Sequence, residues 1–160
     1  MSGFRLMTTS AQKTRNVGRQ AARCLRAGDI LCFFGDLGSG KTTLIKGLAQ
    51  GLGIAPDQVS SPTFVLMNIY DQAALPVYHF DLYRLENSDQ LYDLGYDEFL
   101  YGNGVAVIEW SEHFGPLLPA ERLDVVLTHK GEDRREICLT PHGDRGCDLY
   151  DRICQEVSPQ

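Results

Sequence analysis

The apolar positions of this chain follow two spacings, one helical and one of strands. From about residue 10 to 26, Val17, Ala21 and Cys24/Leu25 recur at i, i+4 and i+7/8, while Arg15, Arg19, Arg23 and Arg26 share another face. That spacing predicts an amphipathic helix with a solvated basic side. Gly28 ends it, and Asp29-Ile30-Leu31-Cys32-Phe33-Phe34 follows as a nearly continuous apolar run, the pattern of a strand buried on both faces. A helical segment runs from Leu44 to about Gly51. Residues 63–70 and 77–83, parted by a turn near Asp71–Pro76, predict a β-hairpin. Short helices are expected over 88–101 and a buried strand over 105–110, ending in a carboxylate and Trp110. Two further strands, 123–128 and 136–140, flank a turn at Lys130–Asp133, and a last helix covers about 146–156. Strands and helices mixed in this way predict a three-layer α/β domain.

Composition adds bounds to this reading. The 160 residues suit one domain, since about 100–200 residues is the usual range, and no linker, low-complexity tract or repeat divides them. The longest apolar runs fall well short of the roughly 18 residues of a membrane span. The opening MSGFRLMTTSAQKTRN has no apolar core of the secretory kind, so a cytoplasmic protein with no membrane association is expected. Five cysteines without C-x-x-C spacing and four scattered histidines give little support to a disulfide framework or a zinc site. The net charge of −6 is unevenly distributed: residues 1–50 carry eight Lys/Arg and two acids, residues 81–112 one Arg and eight acids. An acidic total argues against tight autonomous binding of nucleic acid, which rests on neutralising phosphates. A basic front and an acidic middle suit docking onto another protein.

The sharpest chemical signal lies between the first buried strand and the helix after it. Gly35-Asp36-Leu37-Gly38-Ser39-Gly40-Lys41-Thr42-Thr43 satisfies G-x-x-x-x-G-K-[ST] in full and has the required strand before and helix after. Glycines let successive backbone N–H groups turn inward as an anion nest, and the positive helix terminus adds to the field. Lys41 can reach the β- and γ-phosphate oxygens, the Thr42 hydroxyl can ligate Mg²⁺, and Thr43 is placed for the α-phosphate. All nine loop residues are therefore candidate ATP contacts. The fold expected is a single P-loop NTPase domain over residues 1–160, with a mostly parallel central sheet, an antiparallel hairpin and helices on both faces.

A magnesium–nucleotide site also needs a carboxylate from a neighbouring strand. Asp81 follows Val77–Phe80 and Glu109 follows Val105–Ile108, each at a strand's carboxyl end, where open α/β sheets bind ligands. One would hold the metal's surroundings and the other orient the attacking water. The lysines (13, 41, 46 and 130) are not preceded by Asn or Thr, and D-x-x-G is absent, so a Ras-like GTPase is disfavoured. A small-molecule kinase would want several lid arginines, whereas residues 51–112 contain only Arg84. A kinase stays the second reading, behind a small ATPase whose hydrolysis serves a partner.

Taken together, the P-loop, Ser61-Pro62-Thr63-Phe64, His79-Phe80-Asp81-Leu82-Tyr83-Arg84-Leu85, Leu94-Gly95 and Ile108-Glu109-Trp110 resemble the TsaE family, the ATPases of bacterial tRNA threonylcarbamoyladenosine synthesis. The resemblance runs along nearly the whole chain, with Ser39 where the family commonly has Ala. It implies binding of ATP and Mg²⁺ and weak hydrolysis alone. It also implies TsaD and TsaB as partners, which transfer the threonylcarbamoyl group to adenosine 37 of tRNAs reading codons that begin with A. tRNA would be met only through that complex, and TsaE itself would not be the transferase. Residues 60–63 correspond to a switch I region and Glu109-Trp110 to a switch II-like one.

These readings give a set of expectations. Lys41 stabilises developing phosphate charge, Thr42 and Glu109 hold Mg²⁺, and Asp81 acts near the attacking water or else serves structurally. Thr14 and Arg134 are candidate adenine contacts, and ATP is preferred over GTP. Ser61, Thr63 and Trp110 are expected to sense the γ-phosphate and face the partner, with Pro62 restricting Ser61 to extended backbone.

Overall fold

The structure, a computed structural model, describes residues 3–60, 66–71, 75–113 and 115–157. Its strands are β1 (Phe4–Thr8), β2 (Ile30–Phe34), β3 (Met67–Tyr70), β4 (Val77–Asp81), β5 (Val105–Glu109), β6 (Arg122–His129) and β7 (Arg135–His142). Helices are α1 (Ala11–Ala22), α2 (Lys41–Gly51), α3 (Asp89–Asp93), α4 (Tyr96–Leu100) and α5 (Gly143–Glu156). Among the described residues the strands form one sheet in the order β1-β7-β6-β2-β5-β4-β3. The four central strands, β6, β2, β5 and β4, run parallel to one another. Antiparallel pairs extend both edges, β3 on β4 at one side and β7 and β1 beyond β6 at the other.

Alternation within the central strands divides the core. Leu31 and Phe33 of β2 point to the side covered by α1, α2 and α5, where they join Val17, Leu44, Leu48 and Leu149. Ile30 and Cys32 point to the other side, with Phe80, Ile108, Leu91 of α3 and Leu100 of α4. This two-faced burial is why β2 and β5 read as continuous apolar runs. The expected three layers, with helices on both faces, are present.

The elements differ from the sequence expectation at identifiable points. β1 was not anticipated: only Leu6 and Thr8 of its five residues are buried, too short an alternation to stand out, and its pairing with β7 is long-range. α1 is shorter than residues 10–26. Ser10 caps its start by accepting from the Lys13 N–H at 3.1 Å. After Ala22 the chain turns to bury Leu25, and the Arg26 N–H donates to Asp29 Oδ2 at 2.7 Å. Asp29 is in turn held by the Arg152 guanidinium of α5 at 3.1 Å, a tertiary partner that helical spacing cannot reveal. The hairpin is found as β3–β4, with residues 63–65 of the expected strand outside the described residues.

Helix α2 carries Lys41, Thr42 and Thr43, and its placement depends on close contact with α1. A Cβ on Gly47 would lie 2.1 Å from the Arg15 carbonyl oxygen, and one on Gly18 would lie 2.4 Å from that of Leu44. The two helix backbones touch there, and no rotamer change can relieve a clash with main chain. Alanine gains about 1 kcal/mol of helix propensity over glycine, whereas overpacking a tight contact costs about 1–3 kcal/mol and more when backbone must move. Gly47→Ala is therefore expected to lower stability by a net ~1–2 kcal/mol, read as a reduced urea midpoint at unchanged m-value. An unchanged or raised midpoint would show that the helices can separate freely.

Candidate functional site

β2 ends at Phe34, and the chain enters the phosphate loop at the carboxyl edge of the sheet. Gly40 caps α2 with φ of +105°, a left-handed value that only glycine adopts without strain. Gly35 is confined as well, since a Cβ there would sit 2.5 Å from Ser39 Oγ and 2.7 Å from the Leu127 carbonyl. The α2 start carries no side-chain cap, the arrangement typical of helix termini that meet phosphate. Beside the loop lies a cleft of about 430 Å³, within the range that holds a small-molecule ligand.

Lys41 is 5% exposed. Its Nζ donates to the Gly35 carbonyl and stands 3.3 Å from the centroid of the Trp110 ring. Burial pushes its ammonium below the ordinary lysine range, and Glu112, Glu109, Asp81 and Asp36 pull it back up. The result is a desolvated cation held in place with negative groups around it. An arriving phosphate would meet a field already oriented, with little reorganisation.

Two carboxylates close the other wall. Asp81 and Glu109 are register partners on the parallel pair β4–β5, and both are almost fully buried. Burial pushes the Asp81 carboxyl upward. The Tyr83 N–H, donating to Oδ1 at 2.9 Å, acts in the opposite direction, and the Glu109 charge adds to the rise. Glu109 Oε1 accepts from the Thr42 hydroxyl at 3.4 Å, and Oε2 lies 2.6 Å from His79 Nε2. A threonine hydroxyl with one or two carboxylates is a hard oxygen set. Magnesium is usually bound by so few protein oxygens, together with substrate phosphates and water. Among the described residues no cluster of three or more His, Cys, Asp or Glu forms a metal cage, so this set fits a nucleotide-borne magnesium better than a resident metal.

Trp110 follows Glu109 with φ of +57°, a left-handed conformation that costs a bulky residue on the order of 1–3 kcal/mol. The turn carries the indole back over the P-loop. There it packs with Tyr83 (ring centroids 4.9 Å apart) and His113 (5.9 Å). Leu37, 88% exposed at the loop tip, completes an apolar rim on the cleft.

The cleft is thus lined by Leu37, Gly38, Ser39, Gly40, Lys41, Thr42 and Thr43 together with Asp81, Glu109 and Trp110. Gly35 and Asp36 lie at the base of the loop, outside that lining. Two adenine candidates fall elsewhere. Thr14 is 1% exposed, and its hydroxyl pairs with that of Thr8 at 2.6 Å; it lies buried between β1 and α1 and does not line the cleft. Arg134 is exposed on the β6–β7 turn, whereas the adjacent Arg135 borders the cleft beside Gly40. The sequence reading named Arg134; adjacent residues at a strand start point to opposite sides, and it is Arg135 that borders the cleft. Ser61 and Thr63 lie outside the described residues. Sequence reasoning missed His79 and Tyr83. The available signal was period two: His79, Asp81 and Tyr83 are spaced at i, i+2 and i+4 through the end of β4.

A P-loop at the carboxyl edge of a parallel sheet, with a carboxylate from each of two adjacent strands beside it, defines a P-loop nucleotide-binding protein. The profile of the family described as "Threonylcarbamoyl adenosine biosynthesis protein TsaE" matches residues 8–137. The TsaE protein of Bacillus subtilis is 41% identical over 158 residues, covering 99% of this chain and 96% of its own. That of Treponema pallidum is 40% identical over 136 residues, covering 85% and 99%. A crystal structure of Bacillus subtilis YdiB superposes with a TM-score of 0.80 at 34% identity, covering 97% of each chain. The chain belongs to the TsaE family of tRNA threonylcarbamoyladenosine biosynthesis proteins.

The Lys41–Trp110 contact gives the site its own reporter, since Trp110 is the single tryptophan. A phosphate group that engages Lys41 alters the cation on the indole face, so adding a non-hydrolysable ATP analogue is expected to shift Trp110 emission, and Lys41→Met to remove most of the response. Emission unchanged by saturating nucleotide would mean that Lys41 keeps its indole contact in the bound state.

Proposed function

We propose that this protein binds Mg²⁺–ATP in the cleft and hydrolyses it to ADP and phosphate, slowly alone and faster with TsaD and TsaB in the cytoplasm. In this reading TsaD and TsaB carry out the threonylcarbamoyl transfer to tRNA, and the present chain drives turnover without performing the transfer. The observation that carries the proposal is the pairing of Asp81 with Glu109 across β4 and β5 at the wall facing Lys41 and Thr42.

Lys41 would bind the β- and γ-phosphate oxygens and stabilise charge as it shifts toward the leaving group. Loop N–H groups and Thr43 would hold the remaining phosphates, and Thr42 and Glu109 would hold the metal. Magnesium, when bound, supplies charge neutralisation on those oxygens. Asp81, with one oxygen held by the Tyr83 N–H at 2.9 Å, has its other oxygen to orient the attacking water. Its raised proton affinity suits a group that takes up a proton as that water reacts. Supporting a protein partner rather than direct tRNA contact are the net charge of −6 and the exposed Leu37 and Tyr83 at the cleft mouth. Trp110, strained and lying on Lys41, would couple the state of the γ-phosphate to that rim, an order–disorder or packing switch of the kind nucleotides control.

The test is ATP hydrolysis and tRNA modification reconstituted with TsaD and TsaB. Lys41→Ala, Asp81→Asn and Glu109→Gln are each expected to lower hydrolysis by ~10²–10³, the scale for losing one positioned charge, and to stop modification. ATP is expected to bind more tightly than GTP. Full hydrolysis by Asp81→Asn would remove its catalytic role. A phosphorylated small acceptor, formed without acceleration by TsaD and TsaB, would replace the proposal with a kinase.

A further inference from the structure

The geometry points to His79 as a positioning residue for the metal-facing carboxylate, the centre of a side-chain relay from the β3 hairpin to the P-loop threonine. His79 is 0% exposed and Glu109 1%. An ionised carboxylate has no proton to give, so the short contact of 2.6 Å between His79 Nε2 and Glu109 Oε2 fixes the imidazole proton on Nε2. With Oε2 so occupied, Oε1 is the oxygen left turned toward Thr42, 3.4 Å away. A carboxylate bound through only one of its oxygens could rotate about its last torsion. The imidazole removes that freedom and aims Oε1 at the cleft.

The imidazole is held from behind. Its Nδ1 lies 3.3 Å from the Tyr70 hydroxyl, which reaches it diagonally across the β3–β4 pair, where Asn68 rather than Tyr70 is the direct partner of His79. With its one proton given to Nδ1, the Tyr70 hydroxyl accepts from the Ser60 N–H at 3.4 Å, and Asn68 Nδ2 donates to the Ser60 carbonyl at 3.1 Å. The backbone at Ser60, Tyr70, His79, Glu109 and Thr42 thus form one connected path. Residues that hydrogen-bond a metal-binding carboxylate commonly change metal affinity 10–100-fold when lost. Other roles for His79 fit less well. It does not line the cleft, so it touches no reacting group, and an apolar side chain would fill the same space if packing were its only task.

This inference rests on the reading of Glu109 as the magnesium carboxylate, and the test separates the two. Binding of a non-hydrolysable ATP analogue is measured by calorimetry in the full-length protein, once in EDTA and once across a Mg²⁺ series, so that the readout is metal linkage rather than turnover. Gln places its amide donor near the position of Nε2, and Asn places it near Nδ1. His79→Gln is expected to keep the Mg²⁺ dependence within about threefold. His79→Asn is expected to raise the Mg²⁺ needed for half-maximal enhancement by ~10–100-fold, with metal-free affinity unchanged. Tyr70→Phe, which deletes one oxygen from a half-buried ring, is expected to raise it several-fold and keeps the test decisive if the buried substitutions unfold the chain. Equal Mg²⁺ dependence for the Asn and Gln variants, or an unchanged Tyr70→Phe, overturns the relay when Glu109→Gln itself loses the linkage. If Glu109→Gln also keeps full linkage, the metal assignment fails, and the relay's function fails with it.

Discussion

A lysine, two carboxylates and a histidine are buried together where the central strands end. Lys41, His79, Asp81 and Glu109 are each no more than 5% exposed, and removing such groups from water costs several kcal/mol per ion unless partners compensate. The surrounding structure supplies those partners. The Gly35 carbonyl and the Trp110 face hold the ammonium, the Tyr83 N–H holds Asp81, and Thr42 and His79 hold Glu109. Each of these contacts requires a particular strand register or helix position, so the rest of the fold is constrained by this small volume.

The parallel sheet answers that constraint directly. β2, β4 and β5 run in the same direction side by side, so the P-loop, Asp81 and Glu109 all emerge at one edge. Antiparallel pairing of β4 with β5 would have sent the two carboxylates to opposite ends. The backbone contact between α1 and α2 through Gly18 and Gly47 then fixes the height of the P-loop helix above that edge. Fold and site are therefore linked by the same few contacts, a glycine interface on one side and a strand register on the other.

The rim differs from the floor. Below, the polar groups are buried and fully constrained. Above, Leu37 is 88% exposed, Tyr83 is 49% exposed, and Trp110 holds a left-handed turn. Strain and exposed apolar surface gathered at one cleft mouth characterise regions that change partner or conformation rather than regions that merely pack. The cation–π contact joins the two levels, because the amine that would meet phosphate also holds the indole.

How far the sequence went can be seen residue by residue. The P-loop was legible outright, because its chemistry depends on consecutive residues and on the strand and helix that flank them. Asp81 and Glu109 were legible as carboxylates ending apolar strands. The parallel centre of the sheet and the β3–β4 hairpin followed from runs and turns of local origin. Tertiary structure alone decided that Asp81 and Glu109 stand in register and that His79 grips Glu109. It also placed Arg135 rather than Arg134 on the cleft, buried Thr14 against Thr8, and made residues 4–8 an edge strand. The reason is the same in each case. Spacing along a chain records which face a residue shares with its near neighbours, whereas these contacts join segments as far apart as Phe4 and Leu139, and only the pairing of strands selects which of them meet.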